Sequence, residues 1–174
     1  MSLSLASFNR LVSEHGPAMY RLAYRLVGDR HEAEDVVQET FRSAWKSRGR
    51  YQAGLGDRAW LAAILRRRVA DRRRRRSWWP ARPLLPEDEP AIEGDRSPTD
   101  AYTDEMQQAL HRLPTELRET LLLVVVGELT HQEAADVLRI PLGTVLSRVS
   151  RGRQQLRQHL LAIGQEGYTL RRRG

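Results

Sequence analysis

Apolar residues recur along this chain at three- and four-residue spacing, the signature of helices rather than strands. Phe8, Leu11 and Val12, then Met19, Leu22, Ala23 and Leu26, share one helical face that is interrupted at Gly16 and Pro17. That pattern predicts two helices, or one kinked at the proline. Gly28 suits a helix C-terminus, and Asp29 with Glu32 three residues later has the form of a capping box opening the next helix. From about Arg30 to Arg48, Ala33, Val37, Phe41, Ala44 and Trp45 form an apolar stripe, with Asp35, Gln38, Glu39 and Arg42 on the opposite side. Residues 48–56 read as a loop by their three glycines, after which Trp60, Leu61, Ile64, Leu65 and Val69 mark a helix beginning near Asp57.

The regime changes over residues 77–98, which hold five of the eight prolines and an acidic patch at Glu87, Asp88 and Glu89. This stretch reads as a linker. Ser97, Pro98 and Asp100 then have the chemistry of a helix start, and Tyr102, Met106, Leu110 and Leu113 form its apolar stripe. Pro114 opens a further helix whose end, Leu121 to Val126, is apolar all round, as expected at the centre of a small core, and Gly127 ends it. The stretch Leu129 to Leu156, LTHQEAADVLRIPLGTVLSRVSRGRQQL, reads as two short helices joined by a tight turn. Thr130 and Glu133 make a capping box for the first, and Ile140-Pro141 separate it from the second, which turns Val145, Val149, Leu156 and Leu160 inward. The predicted fold class is all-α, with two small helical domains joined by a Pro-rich linker and a helix-turn-helix in the C-terminal one. The expected divisions are residues 1–76, the linker 77–98, residues 99–163 and a frayed basic tail, 164–174.

Charge adds the chemistry. Lys and Arg number 29 against 22 Asp and Glu, a net charge of +7 that favours an anionic partner, nucleic acid first. Arg72 to Arg76 are five consecutive arginines on a helix, so they cannot all be paired or buried, and they make a field attractive to phosphate. Tyr51 between cations, with Arg48 and Arg50 beside it, combines a stacking face with phosphate contacts, as binding an unpaired base requires. On the outer face of the last helix, Leu142 to Arg157, small hydroxyls and arginines stand together: Thr144, Ser147, Arg148 and Arg151. Hydroxyls bond either kind of base edge and Arg is the usual partner of guanine, so this is the surface of a major-groove reader. The acidic Asp35 face would repel DNA and suits docking to a basic surface on a protein. There is no cysteine, the five histidines and the acids show no metal-ligand spacing, and no cofactor is implied. No apolar run approaches the ~20 residues that span a bilayer and no signal peptide is evident, so a soluble cytoplasmic protein with no membrane insertion is expected.

Two blocks carry a family resemblance. AEDVVQETFRSAW, Ala33 to Trp45, resembles the helix with which bacterial RNA polymerase sigma factors of the extracytoplasmic-function group dock on the clamp of the polymerase. LTHQEAADVLRIPLGTVLSRV, Leu129 to Val149, resembles their promoter-reading helix-turn-helix, and the preceding Leu113-Pro114 to Arg118 pattern fits as well. The resemblance implies a binding subunit rather than an enzyme, with core RNA polymerase and promoter DNA as partners. It places Asp35, Val36, Gln38, Glu39 and Arg42 on the polymerase, and Arg48, Arg50, Tyr51, Trp60, Arg67, Arg68 and Arg72 on the minus-ten element. Ser147, Ser150 and Arg151 would read the minus-thirty-five element, with Thr144, Arg148 and Arg153 mainly on phosphates. Many relatives are held inactive by an anti-sigma protein, which makes one a candidate partner.

Three departures stand out. Arg139 occupies a turn position that is commonly Gly, at a cost of ~1 kcal/mol if the backbone there is left-handed. Leu146 replaces a usual basic residue, and Arg68 stands where relatives often have Asn. The competing readings are an ordinary transcription regulator, which would bind duplex DNA without polymerase, and an enzyme acting on nucleic acid.

Overall fold

The computed structural model describes residues 3–51, 56–78 and 98–171 of the chain. Among these the regular structure is seven α-helices and one short 3-10 turn. Helix α1, Leu5–Val27, is capped by Ser4, whose hydroxyl accepts from the Ser7 amide, and runs unbroken through Pro17. Pro17 and Ser13, whose carbonyl loses its helical partner, are both exposed, so water can take the place of the missing bond and the helix need not end. Gly28 closes α1 in the left-handed conformation, φ 85°. A Cβ there would lie 2.8 Å from His111 Nε2, so the close approach of a later helix also demands glycine.

Helix α2, Arg30–Lys46, starts where expected, with the Asp29 carboxylate accepting from the Glu32 amide at 2.7 Å. Its buried side is broader than the stripe in the sequence: Ala33, Val36, Thr40 and Ala44 are buried, and Val37, Phe41 and Trp45 are half-buried. The helix packs against α1 and α3 at once, which widens the face it must bury. Thr40 is tolerated at 0% exposure because its hydroxyl donates to the Val36 carbonyl at 2.7 Å. Phe8 of α1 meets Trp45 and Phe41 at ring separations of 5.0 and 6.5 Å. Arg48–Arg50 form a 3-10 turn rather than open loop, and α3 runs over Asp57–Trp78.

The stretch read as a linker falls mostly outside the described residues. Helix α4 spans Pro98–His111 and α5 Thr115–Val125. The all-round apolar reading of the end of α5 holds for Leu121, Leu122 and Leu123, but Val125 is 52% exposed. Gly127 follows at a point where a Cβ would lie 2.6 Å from the Leu123 carbonyl oxygen, and Glu128, φ 53°, takes the left-handed turn. Helix α6, His131–Leu138, has the expected capping box, with Thr130 and Glu133 each accepting from the other's backbone amide. Replacing Thr130 by Ala is expected to cost ~1 kcal/mol, visible as a lower midpoint in urea denaturation. Arg139 is left-handed at φ 56° and ψ 46°, so the strained turn anticipated there is present. Helix α7, Leu142–Arg171, continues well past the point where a frayed tail was expected.

Helices α1, α2 and α3 form one half and α4 to α7 the other, and the halves pack together, α3 against α6 and α1 against α5. Met19, Leu22, Leu61 and Leu65 are fully buried in the first half, Leu123 and Val145 in the second. Each such side chain contributes ~1.5–3 kcal/mol relative to an exposed one.

Candidate protein and nucleic-acid interfaces

The outer side of α2 presents Asp35, Gln38 and Arg42, all exposed, with Glu39 half-exposed. Val36 does not belong to this face. It is 0% exposed, because position 36 points between α1 and α3, and it supports the face from beneath. Sequence spacing missed a further member: Arg72, from the arginine run on α3, bridges Asp35 and Glu39 at 3.3 Å each. Burial works against the Arg72 charge, but the hydrogen bonds to Asp35 and Glu39 outweigh it and hold its pKa above the ordinary arginine value. The acidic face and the basic helix therefore meet at one ion-paired residue.

The second cluster lies at the 3-10 turn and the start of α3. The Tyr51 ring stands edge-on to Trp60 at 5.1 Å, and its hydroxyl donates to Asp57, which raises the Tyr51 pKa to about 12. Arg48 lies over the Trp45 ring at 4.2 Å and donates to the Trp45 carbonyl, while Arg50 is exposed. Arg67 is exposed and Arg68 pairs with Asp71 at 3.5 Å. Trp60 and Arg67 line a groove of about 660 Å³ whose opposite wall is α6, through Val137, Leu138 and Arg139. Thus Tyr51 meets Trp60, Trp60 and Arg67 share a groove faced by the C-terminal half, and Arg48, Arg68 and Arg72 are held by other partners.

The third surface is the start of α7. Ser150, Arg151 and Arg153 are exposed; Thr144 and Ser147 are half-buried. The Ser147 hydroxyl donates to the Thr144 carbonyl at 3.0 Å, and Arg151 Nη2 reaches the Ser147 oxygen at 3.4 Å, so the arginine lies along the helix surface. Arg148 is less free than its spacing suggested. It donates to Glu116 of α5 at 2.9 Å, which ties the guanidinium to its own half.

Local pattern gave no hint of the joint between the halves. Glu119 of α5, its side chain only 12% exposed, pairs with Arg66 at 3.2 Å and Arg73 at 3.0 Å, both from α3. Arg73 also donates to the Leu26 carbonyl, Gln107 exchanges hydrogen bonds with Arg25, and Arg58 pairs with Glu128. Beside this joint, burial and then the nearby Arg118 and Arg73 charges lower the His111 pKa. Among the described residues there is no group of three or more His, Asp or Glu able to hold a metal ion, and no helix long and apolar enough to cross a membrane.

Comparison with known proteins bears on both halves. Residues 11–78 match the Sigma-70 region 2 family and residues 103–156 the Sigma-70, region 4 family. The ECF RNA polymerase sigma factor SigE of Mycolicibacterium smegmatis is 39% identical over 163 residues, which cover 90% of this chain and 63% of that protein. The ECF sigma factor SigW of Bacillus subtilis is 30% identical over 173 residues, covering 88% of this chain and 89% of its own length. Among solved structures, the sigma factor RpoE of Bartonella quintana, in complex with the anti-sigma factor NepR, superposes with a TM-score of 0.72 at 26% identity. That match covers 90% of this chain and 98% of RpoE.

Proposed function

Since this chain belongs to the sigma-70 family, in its extracytoplasmic-function group, we propose that its surfaces divide the work of transcription initiation between polymerase and promoter. It is a sigma factor, which binds core RNA polymerase and directs promoter recognition, promoter opening and initiation. In this reading it works in the bacterial cytoplasm as a binding subunit, and the catalytic residues are the polymerase's. The observation that carries the assignment is the occurrence of both regions, in order, on a chain whose α2 shows an acidic face and whose α7 shows Arg151 lying over Ser147.

Asp35, Gln38, Glu39 and Arg42 dock on a basic surface of the polymerase, where complementary charge sets orientation and on-rate. Tyr51 and Trp60 supply faces for an unpaired base of the minus-ten element, and Arg50, Arg67 and Arg72 hold its phosphates. Because α6 faces the half-buried Trp60 across their groove, a single strand that stacks on Trp60 enters most readily with the halves parted. Ser147, Ser150 and Arg151 read the minus-thirty-five duplex from the major groove. NepR is seen on the Bartonella relative, and an anti-sigma protein is accordingly a partner to expect here.

The test is run-off transcription by purified bacterial core polymerase on a library of random promoters, with and without the protein. Protein-dependent initiation from a shared two-part motif is the expected result. If no core gives a transcript, including core from the source organism, while the protein alone protects a duplex site, an ordinary regulator replaces this reading. With protein-dependent initiation established, Arg151→Ala should cost ~1–3 kcal/mol at one base-pair position of the upstream element. A uniform loss over all sequences would make Arg151 a phosphate contact instead.

A further inference from the structure

Leu146 is 49% exposed, whereas Val145 and Val149, its aliphatic neighbours on α7, are 0% and 3% exposed. Other exposed aliphatic residues exist, among them Val125 and Leu161, and single ones need no explanation. Leu146 differs in its place. It lies in the second turn of α7, next to Ser147 and one helical turn before Ser150, on the outward side. Leu142, one turn earlier on that side, is also exposed at 40%, and Gly143 beside it carries no side chain, so Leu146 continues an apolar strip at the outward start of α7.

We propose that Leu146 is a specificity residue that packs on the C5 methyl group of a thymine in the upstream duplex element, so that one A·T pair there is selected by an apolar contact. The proposal rests on α7 being the recognition helix. The argument is one of elimination by chemistry. Leucine has no donor or acceptor, so seating it on a polar base edge would strip water from that edge and return no hydrogen bond. Apart from bare C–H positions, the base edges of the major groove are donors and acceptors, and the one apolar group that protrudes into it is the thymine methyl. The neighbouring Ser147, Ser150 and Arg151 are suited to the polar edges and to guanine, which leaves the apolar position for the apolar group. A basic side chain at position 146 would add phosphate affinity without sequence information; leucine does the reverse.

The experiment uses holoenzyme formed with the full chain and the promoter it selects from a random library. That promoter is remade with deoxyuridine for thymidine, one position at a time on either strand of the upstream element. At one position, loss of the methyl should weaken binding of the wild type about fourfold, ~0.8 kcal/mol. Leu146→Ala should be indifferent to the same change, and 5-methylcytosine paired with guanine at that position should bind the wild type better than cytosine. The proposal is overturned if the element contains no A·T pair, if every uracil substitution is silent, or if Leu146→Ala responds as the wild type does. Arg151→Ala on the same duplexes separates the two levels. If it still loses its one-position preference, only the methyl contact has failed; if it alters no position selectively, the reading of α7 fails and the proposal with it. Because Leu146 faces solvent, the variant should melt like the wild type.

Discussion

Replacing Asp35 and Glu39 together by Ala is expected to weaken binding to core RNA polymerase roughly thirty- to hundredfold, about 2–3 kcal/mol, with a slower association rate as part of the loss and a larger effect at low salt. The two carboxylates stand one turn apart on the outer side of α2, and their side chains are 61% and 40% exposed. In the free chain each already has a cation, Arg72, at 3.3 Å. The double variant therefore also strands Arg72, and some of its effect could arise inside the protein. Arg72→Ala resolves this. It frees both carboxylates, so polymerase binding should hold or improve, while affinity for minus-ten single strand falls and its logarithmic salt slope drops by about one. If Arg72→Ala harms polymerase binding as much as the double change, the three residues form a structural clasp and the docking assignment is wrong. Fluorescence titration of labelled protein with core polymerase at two salt concentrations decides it.

What was legible in the sequence is what local chemistry determines. Asp29, Gly28 and the Thr130-Glu133 pair mark helix ends because a cap is satisfied within three or four residues, and all of them are found in those roles. The left-handed turn at Arg139 was anticipated conditionally, and from the glycine common at that position in the resembling family rather than from Arg139 itself. Burial around a helix was less legible. Val36 and Val37 are adjacent and equally apolar, and only the presence of α3 on the far side of α2 decides that Val36 is the one at 0% exposure. Thr40 stands outside the apolar stripe of the sequence, yet a threonine that bonds its own helix carbonyl can be buried without loss. The outer face of α7 was readable from spacing, but the capture of Arg148 by Glu116, 32 residues away, was not. Pairings across such separations depend on how helices are stacked, which no local pattern encodes.

Glu119→Lys follows from the least legible of these contacts and should open the protein. Glu119 pairs with both Arg66 and Arg73, which lie 53 and 46 residues away in the chain, and so joins α5 to α3. A lysine removes both pairs and places a third positive charge among two guanidiniums. Because the arginine side chains are 38% and 33% exposed, solvent screens part of the change, and a cost of about 2–3 kcal/mol to the joint is reasonable. The buried leucines within each half are untouched, so helicity should survive while thermal unfolding of the full chain splits from one transition into two. Small-angle scattering should show a larger radius of gyration, reduced again by added salt as the new repulsion is screened. Once α6 no longer faces Trp60, single-stranded minus-ten DNA should bind the free variant more tightly than the wild type. An unchanged radius would mean that the apolar packing of α3 on α6 and α1 on α5 holds the halves together without the Glu119 pairs. A larger radius with unchanged DNA affinity would instead show that α6 does not limit access to that surface.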